Sequence, residues 1–486
     1  MKKTFAAVLI LLAPAIAFAQ TAVVDGISWE FTVDEGWALL GSSPYSAPAV
    51  PVTVEGEIKI PAFLDGHPVG VIGDWAFYGC DKITNVTIPS GVAVIGLGAF
   101  YGCSSLAGIS IPDSIASIGI GAFYGCTSLT GVRLPAGLSV IADETFCGCS
   151  KLSEVQLPVG LKRIEERAFY GCGALKAISV PDSVSHIGAY AFCACTSLKQ
   201  ALLPASVQTV EEGAFCGCYA LEEAVMPPAV PVVGNYAFYR CGELKKISLP
   251  ENTAAIGSWA FFDCSKLASI ELPESVCDIG ENAFKGCSAL ESVALPQNVT
   301  EIGPAAFEDC SALKSVVIPA NVRIIEGETF YGCSSLTNAA IPSGVAIIGP
   351  RAFYGCRSLA SIDLPQSVMI LGEGAFNVCT SLAEIAIPTQ VRGIETRTFY
   401  GCSSLESVRL PPRLAYIGER AFAGCAKLKA IELPSGLVEI GSQAFSACKS
   451  LECIEIPKSV TTIGEGAFNA CEKLGEGERF SCSYEL

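Results

Sequence analysis

The sequence is poor in histidine, methionine and positive charge. Two His, three Met and 31 Lys plus Arg stand among 486 residues, against 48 Asp plus Glu. With only His67 and His186 available, a triad centred on imidazole or a multi-His zinc site has too few groups to draw on. The formal net charge of −17 repels a phosphate backbone, so nucleic acid is a poor partner. Solubility and low nonspecific sticking are the plain reading of that charge. Beyond the N-terminus no apolar run reaches the ~18 residues that a membrane span needs, although hydrophobic residues make up 51% and mean hydropathy is +0.47. No Walker-type or dinucleotide-type pattern stands out from the 48 Gly. Carboxylate pairs such as Glu165-Glu166 and Glu211-Glu212 read as solvated turns, and nothing favours a two-carboxylate glycosidase. The chain therefore reads as non-enzymatic, with no cofactor and no metal called for.

What the sequence does hold is one unit of 23 residues, repeated. Leu106 to Ser128 shows it, and at Leu129 it starts again. Its fixed point is a Phe, which recurs from Phe77 through Phe100 and Phe123 to Phe468, eighteen copies with no insertion or deletion. A period of this length marks a solenoid, whose coils bury their apolar faces only against one another. Apolar residues at 109 and 111 alternate with small or polar ones at 108 and 110, which predicts a strand with one face inward. Pro then closes the strand in seventeen coils, from Pro89 to Pro457, because it cannot donate to a ladder. Ile115 and Ile118 mark a second short extended piece. Gly follows at position 119 and its equivalents in thirteen copies, with Ala142, Glu165, Glu211, Glu326 and Glu395 in the others, so a left-handed backbone is not compulsory there. Ala122 to Cys126 has helical spacing and is read as one helical or 3-10 turn. At ~4.8 Å per coil, eighteen coils stack into an object on the order of 85 Å long, and the two His fall about five coils apart, roughly 25 Å, too far to share a site.

Four segments follow. Residues 1–19 read as a secretory signal: Lys2 and Lys3, an apolar stretch from Phe5 to Phe18, and the small-x-small site Ala17-Phe18-Ala19. Its removal would take the charge to −19, from 29 basic and 48 acidic residues. Residues 20–56 read as a β-hairpin cap and loop, with Ile27, Trp29, Phe31 and Val33 on one strand and Asp34-Glu35-Gly36 as its turn. Trp37 and Leu39 are expected to continue the apolar face. Residues 57–474 form the solenoid, opened by Glu57 to Pro61 and a wider turn at Asp65-Gly66-His67-Pro68. Residues 475–486 read as a tail or last capping strand.

The unit Leu-x-x-Ile-x-Ile-Pro-x-x-Val-x-x-Ile-Gly-x-x-Ala-Phe-x-Gly-Cys resembles the leucine-rich repeat of the BspA-like, or Treponema pallidum-type, family. Gly26 to Phe31 and Leu64 to Val69 resemble the segments that precede the repeats in such proteins. The resemblance implies a β-rich, curved leucine-rich-repeat solenoid, a right-handed coil stack with parallel strands on the concave face. It also implies an exported bacterial protein, secreted, at the cell surface or in the periplasm. Some family members bind extracellular-matrix proteins or mediate adhesion. The family motif consists of structural positions, so no functional residue carries over.

Eighteen of the 24 Cys stand three residues after each Phe, from Cys80 to Cys471, and read as buried thiols acting as small hydrophobes. Cys147, Cys193 and Cys216 directly follow the Phe. Cys193 and Cys216, in equivalent places on adjacent coils, are disulfide candidates, and so are Cys453 and Cys482. Outward strand positions, from Asn85 and Thr87 to Cys453 and Glu455, include no aromatic residue. Interface hot spots are enriched in Trp, Tyr and Arg, so a face without aromatic residues lacks evident anchors and points to weak, broad or avidity-driven binding. Another edge carries an aromatic stripe: Tyr78, Tyr101, Tyr124, Tyr170, Tyr239, Phe262, Tyr331, Tyr354 and Tyr400. It is the candidate binding surface if its rings reach solvent; the same rings read equally as half-buried packing between coils. The function expected is noncovalent binding of an extracellular protein or glycan, and the rival is a structural protein that self-associates.

Overall fold

The computed structural model describes residues 19–41 and 48–474. It divides into two compact units, residues 1–183 and 184–486.

The first unit opens with three antiparallel strands: β1 (Gln20–Val24), β2 (Ile27–Asp34) and β3 (Trp37–Leu40). Both turns between them have two residues at positive φ, Asp25-Gly26 and Glu35-Gly36, the geometry that matches strand twist in a two-residue hairpin. The strand β1 was not expected. A second departure concerns the buried face. Ala38 and Leu40 are fully buried, while Trp37 is 46% exposed and Leu39 half-buried. The register explains this: Leu40 lies opposite Phe31 and therefore shares its inward face, which puts Trp37 outside, over Gly70.

Parallel pairing then carries the sheet into the coils. β3 pairs with β6 (His67–Ile72), which pairs with Val94–Ile95, which pairs with Ser117–Ile118. The hairpin thus covers the open edge of the first coil, and Trp29 packs edge-on against Phe77 at 6.3 Å. The other ladder starts with β4 (Gly56–Lys59), followed by Ile83–Thr87 and Gly108–Ser110. Between β4 and β6 the chain inserts β5 (Phe63–Leu64), which turns through Asp65-Gly66 onto β6.

In both units one coil carries the same parts. A short strand is closed by Pro, whose carbonyl accepts the N–H three residues on, as Val92 to Pro89 at 3.2 Å. A two-residue strand follows, paired in register with its equivalent 23 residues away, as Asp278 with Glu301 and Ile279 with Ile302. The third part differs from expectation. No helix, α or 3-10, occurs among the described residues. The segment around the Phe is a chain of tight turns instead. In every coil the residues two before and two after the Phe take positive φ, as Gly121 at 58° and Gly125 at 69°. Alternate N–H groups serve two purposes. Ala122, Tyr124 and Cys126 donate to carbonyls three residues back, while Gly121, Phe123 and Gly125 donate to Asp143, Thr145 and Cys147 of the next coil. A helix would turn all these donors inward along its own axis and leave the coils unlinked on this side.

The core is a set of ladders. Phe rings in the first unit stack at 4.8–5.4 Å, nearly parallel, and those of the second at 5.3–5.8 Å. The Cys beside them are thiols, buried except for the half-buried Cys471, and beyond the first coil they donate to the Phe carbonyl of the preceding coil, as Cys126 Sγ to Phe100 at 3.2 Å. Position 119 and its equivalents are indeed not left-handed. Gly prevails there because coils approach closely: a Cβ on Gly280 would stand 2.5 Å from the Ser258 nitrogen.

Candidate binding surface

Each Phe points into the core, and the residue after it therefore lies at the outer edge. In the first unit Tyr78 is 51% and Tyr170 39% exposed, with Tyr101 and Tyr124 half-buried. Tyr101 and Tyr124 are parallel with centroids 4.5 Å apart, and Tyr78 lies 5.6 Å from Tyr101. In the second unit Tyr239 stacks on Phe262 at 4.9 Å and Tyr331 on Tyr354 at 4.5 Å, all half-buried, while Tyr400 is 41% exposed. Ring faces pack on one another, and part of each ring reaches solvent.

The stripe is broader than the sequence suggested. The left-handed residue two before the Phe falls on the same surface. Trp75 lies 5.6 Å from both Tyr78 and Tyr101. Tyr236 lies 5.8 Å from Tyr239, and Trp259 lies 5.0 Å from Phe262. Arg240 covers the Tyr239 ring at 5.2 Å. The pairs 75/78, 236/239 and 259/262 share a spacing of three, a signal the sequence held.

Some phenol pKa values are raised: Tyr124 by the neighbouring Cys147 thiol and then Tyr101, and Tyr331 by burial and then Tyr354. Cys193 and Cys216 stand side by side as thiols, with Cys193 buried and Cys216 half-buried. The hydrogen bond from Cys193 holds Cys216 below the usual thiol range, helped by Arg240, and the same bond and burial push Cys193 up. Cys453 is exposed, in an isolated bridge with Ala430; Cys482 lies outside the described residues.

Outward strand residues form shallow grooves, one of about 540 Å³ along Glu406–Pro434. His67 Nδ1 lies 3.2 Å from the Gly36 carbonyl, and His186 Nδ1 2.6 Å from Thr209 Oγ1. Among the described residues no group of three His, Cys, Asp or Glu is placed to hold a metal, and no helix is long and apolar enough to cross a membrane.

The model of the BspA type leucine-rich repeat region matches six overlapping stretches: 70–199, 117–242, 185–314, 231–360, 300–414 and 392–478. The chain belongs to the BspA-type leucine-rich repeat family. Its coil stack of parallel strands is the fold of that family. Among solved structures it is similar to a leucine-rich repeat protein from Bacteroides ovatus, 27% identical over 93% of this chain and 92% of that one, with a TM-score of 0.38. It is also similar to a leucine-rich cell surface protein from Faecalibacterium prausnitzii, 23% identical over 94% and 93%, TM-score 0.27. A leucine-rich repeat protein of Treponema pallidum is 24% identical over 54% of this BspA-type chain and 87% of its own, TM-score 0.27. No curated protein matches.

Proposed function

We propose that this chain is an exported scaffold that binds a protein or glycan noncovalently at or outside the bacterial cell surface. The observation that carries the reading is a row of partly exposed tyrosines within each unit, with Trp75 alongside in the first and Tyr236 and Trp259 in the second, on edges fixed by stacked coils. Such rings supply contact area and a polar tip at little entropic cost. The strand face offers mainly Ser, Glu, Ala and Val instead, and shallow grooves without an aromatic residue. Purified chain would be applied to matrix proteins, mucins and glycans; saturable binding weakened by Tyr101→Ala with Tyr124→Ala supports the reading, and binding indifferent to them removes it.

One observation favours the rival, self-association. Ile324 and Ile370 are 38% and 49% exposed, aligned through Ile347, with Met369 52% exposed beside them. Exposed apolar stripes of this kind mark contact surfaces. Growth of mass with concentration in light scattering, abolished by Ile370→Lys, is what that rival requires. Strand capping by residues 475–486, which would also separate the two readings, lies outside the described residues.

A further inference from the structure

Cys147, Cys277 and Cys453 lie outside the core ladder, and none of them has a cysteine at the equivalent place of a coil beside it. Cys193 and Cys216 do face each other in this way, and both belong to the second unit. The backbone aligns them. The N–H groups of Phe192 and Ala194 donate to the carbonyls of Ala214 and Cys216 at 2.8 and 2.7 Å, so an inter-coil bond stands on either side of the pair. Each Cys also donates its own N–H three residues back, to Tyr190 at 3.0 Å and to Gly213 at 2.9 Å, so the two turns match. The two side chains hydrogen-bond to one another. Rings at this same outer position of other coils show the spacing: Tyr239 and Phe262 lie 4.9 Å apart, Tyr331 and Tyr354 4.5 Å. A disulfide joins Cα atoms about 4.4–6.8 Å apart and Cβ atoms about 3.5–4.5 Å apart. The outer row therefore holds the two sulfurs within a small local closure of bonding range.

The ladder thiols nearby do not compete. Cys218 Sγ donates to the Phe192 carbonyl and Cys241 Sγ to the Phe215 carbonyl, each at 3.2 Å, and both residues are fully buried. A thiol held on a carbonyl and closed to solvent offers no sulfur to a reagent, and burial pushes both well above the ordinary thiol range.

The pair is unequal. Cys193 is only 7% exposed, whereas Cys216 is half-buried and open to solvent on one side. The next coil brings Arg240 to that side. Its guanidinium lies over the Tyr239 ring at 5.2 Å and 3.6 Å from Asp263, and its charge adds to the Cys193 hydrogen bond in favouring the Cys216 thiolate. Partial exposure beside a cation is the setting of an attacking thiol. A buried sulfur within reach behind it is the setting of a resolving one.

We propose that Cys216 and Cys193 form a thiol–disulfide exchange site, at which Cys216 attacks a small-molecule disulfide and Cys193 then closes a bond that ties two adjacent coils together. The Cys216 thiolate attacks one sulfur of the reagent, a mixed disulfide forms, and the expelled thiolate takes up the proton that Cys216 gave up. The Cys193 sulfur next attacks Cys216 Sγ, and the second half of the reagent leaves with the Cys193 proton. Two protein thiols are oxidised to one disulfide while one reagent disulfide is reduced to two thiols. The site is independent of any ligand held by the aromatic edge.

The test is incubation of the reduced, folded full chain with bis(hydroxyethyl) disulfide, a neutral reagent that the formal charge of −17 does not repel. Alkylation and peptide mass spectrometry follow. A linked Cys193–Cys216 peptide, about 2 Da lighter than its reduced parts, is expected. It should form faster than adducts form on Cys277 and Cys453, although both of these are exposed. Cys193→Ser should trap the mixed disulfide on Cys216, and Cys216→Ser should leave Cys193 unmodified. A wild-type chain in which Cys216 keeps the reagent as an adduct, or in which both remain thiols after Cys277 and Cys453 have reacted, overturns the proposal, and that result does not depend on any variant folding.

Discussion

A Phe of the ladder touches the Phe above and the Phe below and is fully buried, so its removal leaves a cavity bounded by two rings. Phe284→Ala is expected to cost about 3–5 kcal/mol, read as a loss of protection in hydrogen exchange centred on its own coil and its neighbours. The ladder thiols set a pH limit. Burial pushes Cys402 up to about 12 from an ordinary value of 9.0. The native state keeps that proton while the unfolded chain loses it above pH 9, so the unfolded state binds fewer protons and stability falls as pH rises. The loss is about 1.4 kcal/mol per pH unit for each such thiol between 9 and 12. Thermal unfolding should be flat in this respect below pH 9 and drop steeply above it, and Cys402→Ala should shallow that drop. The native thiols should resist alkylation at pH 8 and react fully in denaturant. A chain whose ladder thiols alkylate as fast folded as unfolded would contradict the packing.

At the scale of the element, the two left-handed turns per coil are the feature that decides local stability. Val378 holds φ at 59°, a strained place for a β-branched residue. Val378→Gly relieves that strain, at about 1–2 kcal/mol, against a backbone-entropy cost of about 0.5–1 kcal/mol, so a small gain is expected in urea unfolding. Gly280→Val should do the opposite, because its Cβ meets the backbone of the previous coil at 2.5–2.8 Å, where nothing flexible can move aside. The two changes separate the reasons for glycine in this repeat: conformation at one position, close approach at the other. Much of the coil was legible in sequence, since a strict period exposes which positions are invariant in type. The Phe, the Pro and the Cys announced themselves this way. The turn chain did not, because Ala122 to Cys126 matches helical spacing, and the left-handed residues are Gly in some coils but Trp75, Arg351 or Val378 in others. Trp37 was misplaced because Trp37 and Leu39 look more apolar than Ala38, while strand register, not hydropathy, chose the inward face.

At the scale of the molecule, coils within each unit touch their sequence neighbours, so stability there accumulates from coil and interface terms and local damage stays local. The terminal hairpin matters more than its size suggests. Removing residues 20–41 would uncover the edge of β6 and the face of Phe77, and such a chain is expected to aggregate on refolding where the full chain does not, read by light scattering. The formal charge of −17 keeps copies apart at low salt and should favour ligands that bring cations or hydroxyl donors. The aromatic edge is the proposed working surface. The most direct test is binding of the chain to an array of matrix proteins, mucins and glycans, compared with a variant carrying Tyr101→Ala, Tyr124→Ala, Tyr331→Ala and Tyr354→Ala, with light scattering on both samples. A saturable ligand held by a monomer, and weakened at least about tenfold in the variant, is the predicted result. Equal binding by both, or no ligand together with mass that grows with concentration, would contradict it.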